Sequence, residues 1–311
     1  MHWLIEPGFF SSQPVQVALI VGAVVAVVSA IVGVFTVLRG QSFAGHALTD
    51  VAATGGSAAF LLGVSPLLGF LGGGIVGSGA MDAIGVQRVR GRDMATGIVL
   101  GASVGLTALL LYLDTTTTAT TGSAQQILFG SIFTVDSSTI PLVAGLGAAT
   151  LLIVGVLYRP LLLTSVDPDV AAARGVPVRL VGLSFLIALA VAVSLSALTI
   201  GAILSTALLI GPAATALRLT RRFMSALVTA AVLGILATWL GVLLAYDSYY
   251  WSASHDALPV SFFIVGVCFL MYLASGAVAR AARRDRRAAA GQSRQQPSET
   301  EPEPTLHAGA A

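Results

Sequence analysis

"VQVALIVGAVVAVVSAIVGVFTVL", residues 15–38, carries no charge and nothing more polar than a glutamine, a serine and a threonine. Wound as a helix at about 1.5 Å per residue, such a run reaches roughly 36 Å, more than the ~30 Å hydrocarbon core of a bilayer. A helix satisfies its own backbone hydrogen bonds, which lipid cannot do for it. The rest of the chain follows the same pattern. Of its 311 residues 56% are hydrophobic and 10% charged, and the mean hydropathy is +0.91; soluble domains carry about 25% charged residues. The fold class is therefore an all-α integral membrane protein, a polytopic helical bundle.

Working outward, further apolar stretches fall at 44–62, 66–86, 95–113, 139–158, 180–198, 200–217, 224–245 and 260–279. The second is rich in glycine and polar residues, and 194–217 is nearly unbroken, so the count is eight or nine spans. Segment 124–135 (AQQILFGSIFTV) is too short to cross and reads as a re-entrant or interfacial helix.

All 16 basic residues are arginine. A phosphate-binding P-loop needs the lysine of G-x-x-x-x-G-K-[ST], so the chain has no ordinary ATPase site of its own. The arginines cluster at Arg39, at Arg88, Arg90 and Arg92, at Arg159, Arg174 and Arg179, at Arg218, Arg221 and Arg222, and from Arg280 onward. With spans alternating as above, every cluster lies on one side, while the opposite loops (1–14, 114–123, 246–259) have none. Positive residues mark the cytoplasm, which puts the N-terminus outside, the C-terminus inside, and favours nine crossings over eight. The first run is not a cleaved signal peptide: it lacks a basic leader segment and is too long. The expected division is a short external N-terminus (1–14), a transmembrane region (15–279) and a disordered cytoplasmic tail (280–311) whose first arginines meet anionic lipid headgroups. The single cysteine, Cys268, allows no internal disulfide, and no nucleic-acid partner is expected.

Two ionisable residues interrupt the second stretch. His46 and Asp50, four residues apart, share a helical face. Groups of this kind inside a span face a cavity, a partner or a substrate path, and imidazole with carboxylate suits zinc or manganese. Two ligands fall short of the four zinc favours; a second copy related by a two-fold axis would supply the others. The alternative is a His–Asp pair that orients helices. The neighbouring Ala47, Ala52, Ala53, Gly55 and Gly56 are small enough to let two such helices approach. Elsewhere, Asp82 is within reach of Arg88 as an ion pair, and His255 and Asp256 lie in an outer loop rich in tyrosine and tryptophan. Gly69/Gly73, Gly73/Gly77 and Gly101/Gly105 have the spacing of close helix contacts, either in a dimer seam or within one bundle.

Loop 164–179 (TSVDPDVAAARGVPVR) holds a short helix. Asp167 and Asp169 flank Pro168 at its start, Val170 to Arg174 continue it, and Gly175 and Pro177 stop it. It is a docking element or a plain connector.

Four stretches in order carry a resemblance: LRGQSFAGHALTDVAATGG (38–56), QQILFGSIFTV (125–135), DPDVAAARGVPV (167–178) and, most specific, IGAILSTALLIGPAATALRL (200–219). Together they resemble the permease subunits of metal-ion ABC importers, the zinc- and manganese-uptake family. The resemblance covers residues 15–279. It implies a homodimeric or pseudo-dimeric permease, a separate ATP-binding subunit that hydrolyses ATP, and an extracytoplasmic metal-binding protein, all at a bacterial cell membrane. The permease would be no enzyme and hold no permanent cofactor, its metal being the cargo. Carried over, it assigns His46 and Asp50 to the metal path and Asp169, Ala173 and Gly175 to ATPase docking in a coupling loop. The family's usual order is acid first and histidine four residues later; here the two are exchanged. An iron-chelate or cobalamin-type permease needs a roomier path than a His/Asp pair lines. A secondary cation transporter needs internal repeats, and none is visible. An intramembrane protease of the HExxH type lacks its motif.

Overall fold

The first apolar run folds as α1 (Gln13–Leu38), with Pro14 in its first turn, where a missing backbone N–H costs nothing. The structure is a computed structural model that describes residues 9–85, 92–117, 122–130, 132–249 and 258–295. After α1 come α2 (Ser42–Leu61), α3 (Pro66–Ile84), α4 (Arg92–Thr117), the short α5 (Ser123–Phe129), α6 (Ile140–Val156), α7 (Tyr158–Val166), α8 (Pro168–Ala173), α9 (Val178–Ile200), α10 (Ala202–Leu219), α11 (Phe223–Ser248) and α12 (Val260–Gln295). No strand occurs among the described residues.

Eight helices among the described residues are long and apolar enough to cross a membrane: α1, α3, α4, α6, α9, α10, α11 and α12. The remaining long helix, α2, has 20 residues, but its glycines, hydroxyls, His46 and Asp50 make it too polar to qualify on composition. Packing explains this. α2 lies against α3, α4, α9 and α10, so most of its surface meets protein rather than lipid and needs no long apolar side chains. The connections 62–65 and 220–222 are short, and the helices they join, α2 with α3 and α10 with α11, pack side by side as antiparallel neighbours.

At the centre stand α1 and α9, the most buried of the spans. Phe35, Leu186 and Leu189 are fully enclosed between them. At the arginine-bearing end Phe35 meets Phe223 edge-on at 5.2 Å and Tyr158 at 6.3 Å. The near-continuous run 194–217 is divided at Gly201 (φ 85°, ψ 157°), a conformation all but closed to other residues. A Cβ on Gly201 would overlap the Leu128 carbonyl, and one on Gly130 (φ 76°) would overlap the Gly201 nitrogen. Two glycine backbones thus lock the end of α5 to the α9–α10 turn. Segment 124–135 accordingly forms α5 and a 3-10 turn (Ile132–Thr134), far short of a span, with Ile127 buried.

The glycine pairs sort into two groups. A Cβ on Gly69 or Gly73 would strike the backbone of Gly55 on α2, and one on Gly77 would strike Val51; these glycines let α2 and α3 of one chain touch. Gly101 and Gly105 on α4 face open space. Beyond residue 280 the chain continues as helix to Gln295, in keeping with the strong helix propensity of its alanines and arginines; residues 296–311 lie outside the described residues. So do Arg88 and Arg90, and the outer-loop pair His255 and Asp256.

Candidate functional site

The stripe of α2 that its own bundle covers only in part runs through Phe43, His46 and Asp50. Phe43 is 43% exposed; the His46 and Asp50 side chains are 39% and 15% exposed. The alanines and glycines around them point the other way. Ala47, Ala52 and Ala53 are buried, Gly55 lies on the α3 backbone and Gly56 on the Phe70 ring. Small residues therefore seat α2 in its own chain, and the ionisable pair occupies the face left over.

His46 Nε2 lies 3.9 Å from Asp50 Oδ2, the separation expected of an i, i+4 pair. The other ring nitrogen, Nδ1, is 3.0 Å from Thr206 Oγ1 in the second turn of α10. One turn beyond Asp50, the Thr54 hydroxyl lies 3.0 Å from the Asp50 carbonyl, 3.0 Å from the Ser103 carbonyl and 2.8 Å from Thr107 Oγ1. This contact fastens α2 to α4 beside the pair. Among the described residues no group of three or more His, Cys, Asp or Glu side chains could hold a metal ion; the donors they bring together here are His46 and Asp50.

Neither Thr206 nor the Thr54–Thr107 contact was legible as part of the site. Thr206 does lie in the most specific of the sequence motifs, where a hydroxyl in an apolar run was the available signal.

In loop 164–179 the helix is α8, which starts two residues before Val170. Asp167 is its cap: its carboxylate accepts from the backbone N–H of Asp169 at 2.9 Å and of Val170 at 3.0 Å. The chain leaves α8 through Gly175 at φ 79°, which no β-branched residue adopts without strain. Asp169, Ala173 and Gly175 are all exposed, the first two four residues apart on one face. A further helix, α7, precedes α8. Asp82 pairs with Arg179 at 3.5 Å, so α3 is tied to the first turn of α9; the expected partner Arg88 lies outside the described residues.

A polytopic bundle with an ionisable pair on one helix face defines a multi-pass helical membrane protein. The chain belongs to the ABC 3 transport family, which it matches over residues 11–277. It is 33% identical over 233 residues to the manganese import system permease protein ScaB of Streptococcus parasanguinis, covering 75% of this chain and 81% of that one. With the manganese transport system membrane protein MntC of Listeria innocua it shares 32% over 264 residues, 84% and 89% of the two chains. Among solved structures, PsaBC from Streptococcus pneumoniae in complex with Fab superposes with a TM-score of 0.72 at 30% identity, covering 86% of this chain and 92% of that one. The chain is thus a transmembrane permease of the ABC transporter type.

Proposed function

We propose that this permease imports a divalent transition metal, manganese or zinc, across a bacterial cell membrane, driven by ATP hydrolysis on a separate subunit. The observation that carries the reading is the placement of His46 and Asp50, one imidazole and one carboxylate, on the open stripe of α2. A two-fold partner facing that stripe would complete a set of four donors, in a homodimer. Such a set binds a cation without enclosing it, which suits cargo that must leave again. The relatives, a manganese import permease and a manganese transport membrane protein, support manganese in first place.

The exposed α8, capped by Asp167 and ended by Gly175, is the docking helix for the ATP-binding subunit, with Asp169 and Ala173 on its contact face. An extracytoplasmic metal-binding protein delivers the ion, and the N-terminus lies outside. The arginine distribution supports this orientation.

The test is uptake of radioactive manganese and of zinc in cells that express the permease with its ATP-binding subunit and lack other importers. Saturable uptake that falls at least about tenfold in His46→Ala and in Asp50→Asn, at unchanged membrane abundance, is expected, since even indirect disturbance of a metal ligand costs about 10–100-fold. Normal uptake in the double variant His46→Ala/Asp50→Asn removes the pair from the ion's path.

A further inference from the structure

We propose that Thr206 is a positioning residue for His46: by engaging Nδ1 it fixes the ring so that Nε2 is the nitrogen offered to the ion, next to Asp50. This rests on the reading of His46 and Asp50 as metal ligands and goes one residue beyond it. The geometry is specific. Nδ1 lies 3.0 Å from Thr206 Oγ1, while Nε2 lies 3.9 Å from Asp50 Oδ2. One nitrogen is occupied by α10 and the other is turned toward the carboxylate on its own helix.

A half-exposed imidazole without such a contact exchanges rotamers and tautomers freely. A threonine hydroxyl both accepts and donates. When it accepts from Nδ1–H, the lone pair is left on Nε2, the state that ligation at Nε2 requires. Histidines that bind metals commonly direct their other N–H to a carboxylate, a carbonyl or water, which sets the tautomer and raises ligand basicity. A neutral hydroxyl, which accepts from Nδ1–H or donates to Nδ1, fixes the ring's orientation with less gain in basicity than a carboxylate gives. That combination orients the ligand yet leaves the ion easy to release.

The hydroxyl is itself held in place. α10 starts just after Gly201, whose backbone is interlocked with that of Gly130, so Thr206 lies little more than one turn from a fixed point of the bundle. On its other side Thr206 borders an apolar groove of about 370 Å³ between α10 and α12, together with Ile210, Gly211 and Cys268. The hydroxyl that α12 contributes to this groove, that of Tyr272, is engaged by Arg218.

The experiment measures manganese uptake against concentration for the whole transporter carrying Thr206→Val, Thr206→Ala or Thr206→Ser, at matched membrane abundance. It also records the ¹⁵N spectrum of the His46 ring in the metal-free protein, assigned with His46→Ala. Thr206→Val conserves volume and removes the hydroxyl. It is expected to raise the half-saturating manganese concentration about tenfold or more and to shift the ¹⁵N signals of the His46 ring. Thr206→Ala should do the same, and Thr206→Ser should stay within about twofold of wild type on both measures. Wild-type half-saturation in Thr206→Val and Thr206→Ala, with uptake lost in His46→Ala, overturns the positioning role alone. Normal uptake in His46→Ala overturns the metal-path reading and this inference with it.

Discussion

Arg39, on the corner between α1 and α2, donates from Nη1 to Thr164 Oγ1 on α7 at 2.9 Å, with its guanidinium 5.2 Å from the centre of the Phe185 ring. Seven residues after Arg39 comes His46; three residues after Thr164 comes Asp167, the cap of α8. A single side chain therefore joins the segment leading into the ionisable pair to the segment leading into the exposed helix α8. A hydrogen bond to a charged group contributes about 1.5–3 kcal/mol, and stacking on an aromatic ring adds about 0.5–2 kcal/mol.

Replacing Arg39 by Gln should therefore lower the thermal midpoint of the detergent-solubilised permease, and Thr164→Val should lower it by less, because the contact with Phe185 survives. Arg39→Lys should resemble Gln more than wild type, since an ammonium has neither the planar face nor the fork of a guanidinium. If the docking reading is right, these variants also hydrolyse more ATP for each ion moved. Equal midpoints for all three variants and wild type would dismiss the link as incidental.

The α9–α10 turn makes a separate prediction. Gly201→Ala places a methyl group in a backbone conformation that costs about 1–3 kcal/mol for a residue with a Cβ, and drives that Cβ into the Leu128 carbonyl. The thermal midpoint should drop sharply. Metal uptake should fall with it, because α10 carries Thr206. A Gly201→Ala protein as stable as wild type would mean that the turn is not held in this way.

Much of this architecture is legible from sequence for a simple reason: a span must be long and apolar, and arginine must stay near an interface. The break at Gly201 is not legible in that way, because apolarity continues through it and a backbone angle leaves no mark on hydropathy. The direction of each helix face is hidden for a related reason. Lipid is as apolar as a protein core, so α4 with open Gly101 and Gly105 looks in sequence much like α3 with Gly69 and Gly73 packed on α2. The small residues around His46 suggest an approach between two copies of α2, whereas the structure spends them on α3 and Phe70. The His46–Asp50 pair stands out because four residues is one helical turn. Its partner Thr206 lies 160 residues away, a contact only the fold can make.

Gly175 gives a prediction about α8. Its φ of 79° costs an ordinary residue about 1–2 kcal/mol, and a β-branched one more. Nothing lies within contact distance of a Cβ placed there, so Gly175→Val strains the exit from α8 without a collision. The variant should insert in the membrane at normal abundance, yet bind the ATP-binding subunit less well, as read by co-purification. Asp167→Ala should act in the same direction, because losing a capping carboxylate costs about 1 kcal/mol of helix stability. Undiminished co-purification and uptake in both variants would take α8 out of the docking surface.

The exchanged order of the pair supplies the last prediction. In the double variant His46→Asp/Asp50→His both donor types stay on the open stripe of α2, about 6 Å apart along the helix, and the family's usual order is restored. A histidine at position 50 is one turn removed from Thr206, so its ring loses the hydroxyl that engages Nδ1 of His46. Uptake should persist, with a half-saturating concentration raised about tenfold, the scale of losing a ligand's hydrogen-bond partner, and with the ratio of manganese to zinc uptake changed. Adding Thr206→Val to this double variant should then have no further effect, although the same substitution weakens the native arrangement. A pair that merely orients helices predicts otherwise: the exchange would keep the ion pair, leave half-saturation and metal preference untouched, and show its effect in abundance and thermal midpoint instead. The deciding measurement is uptake of both metals, together with membrane abundance, for the native and the exchanged pair, each with and without the substitution Thr206→Val.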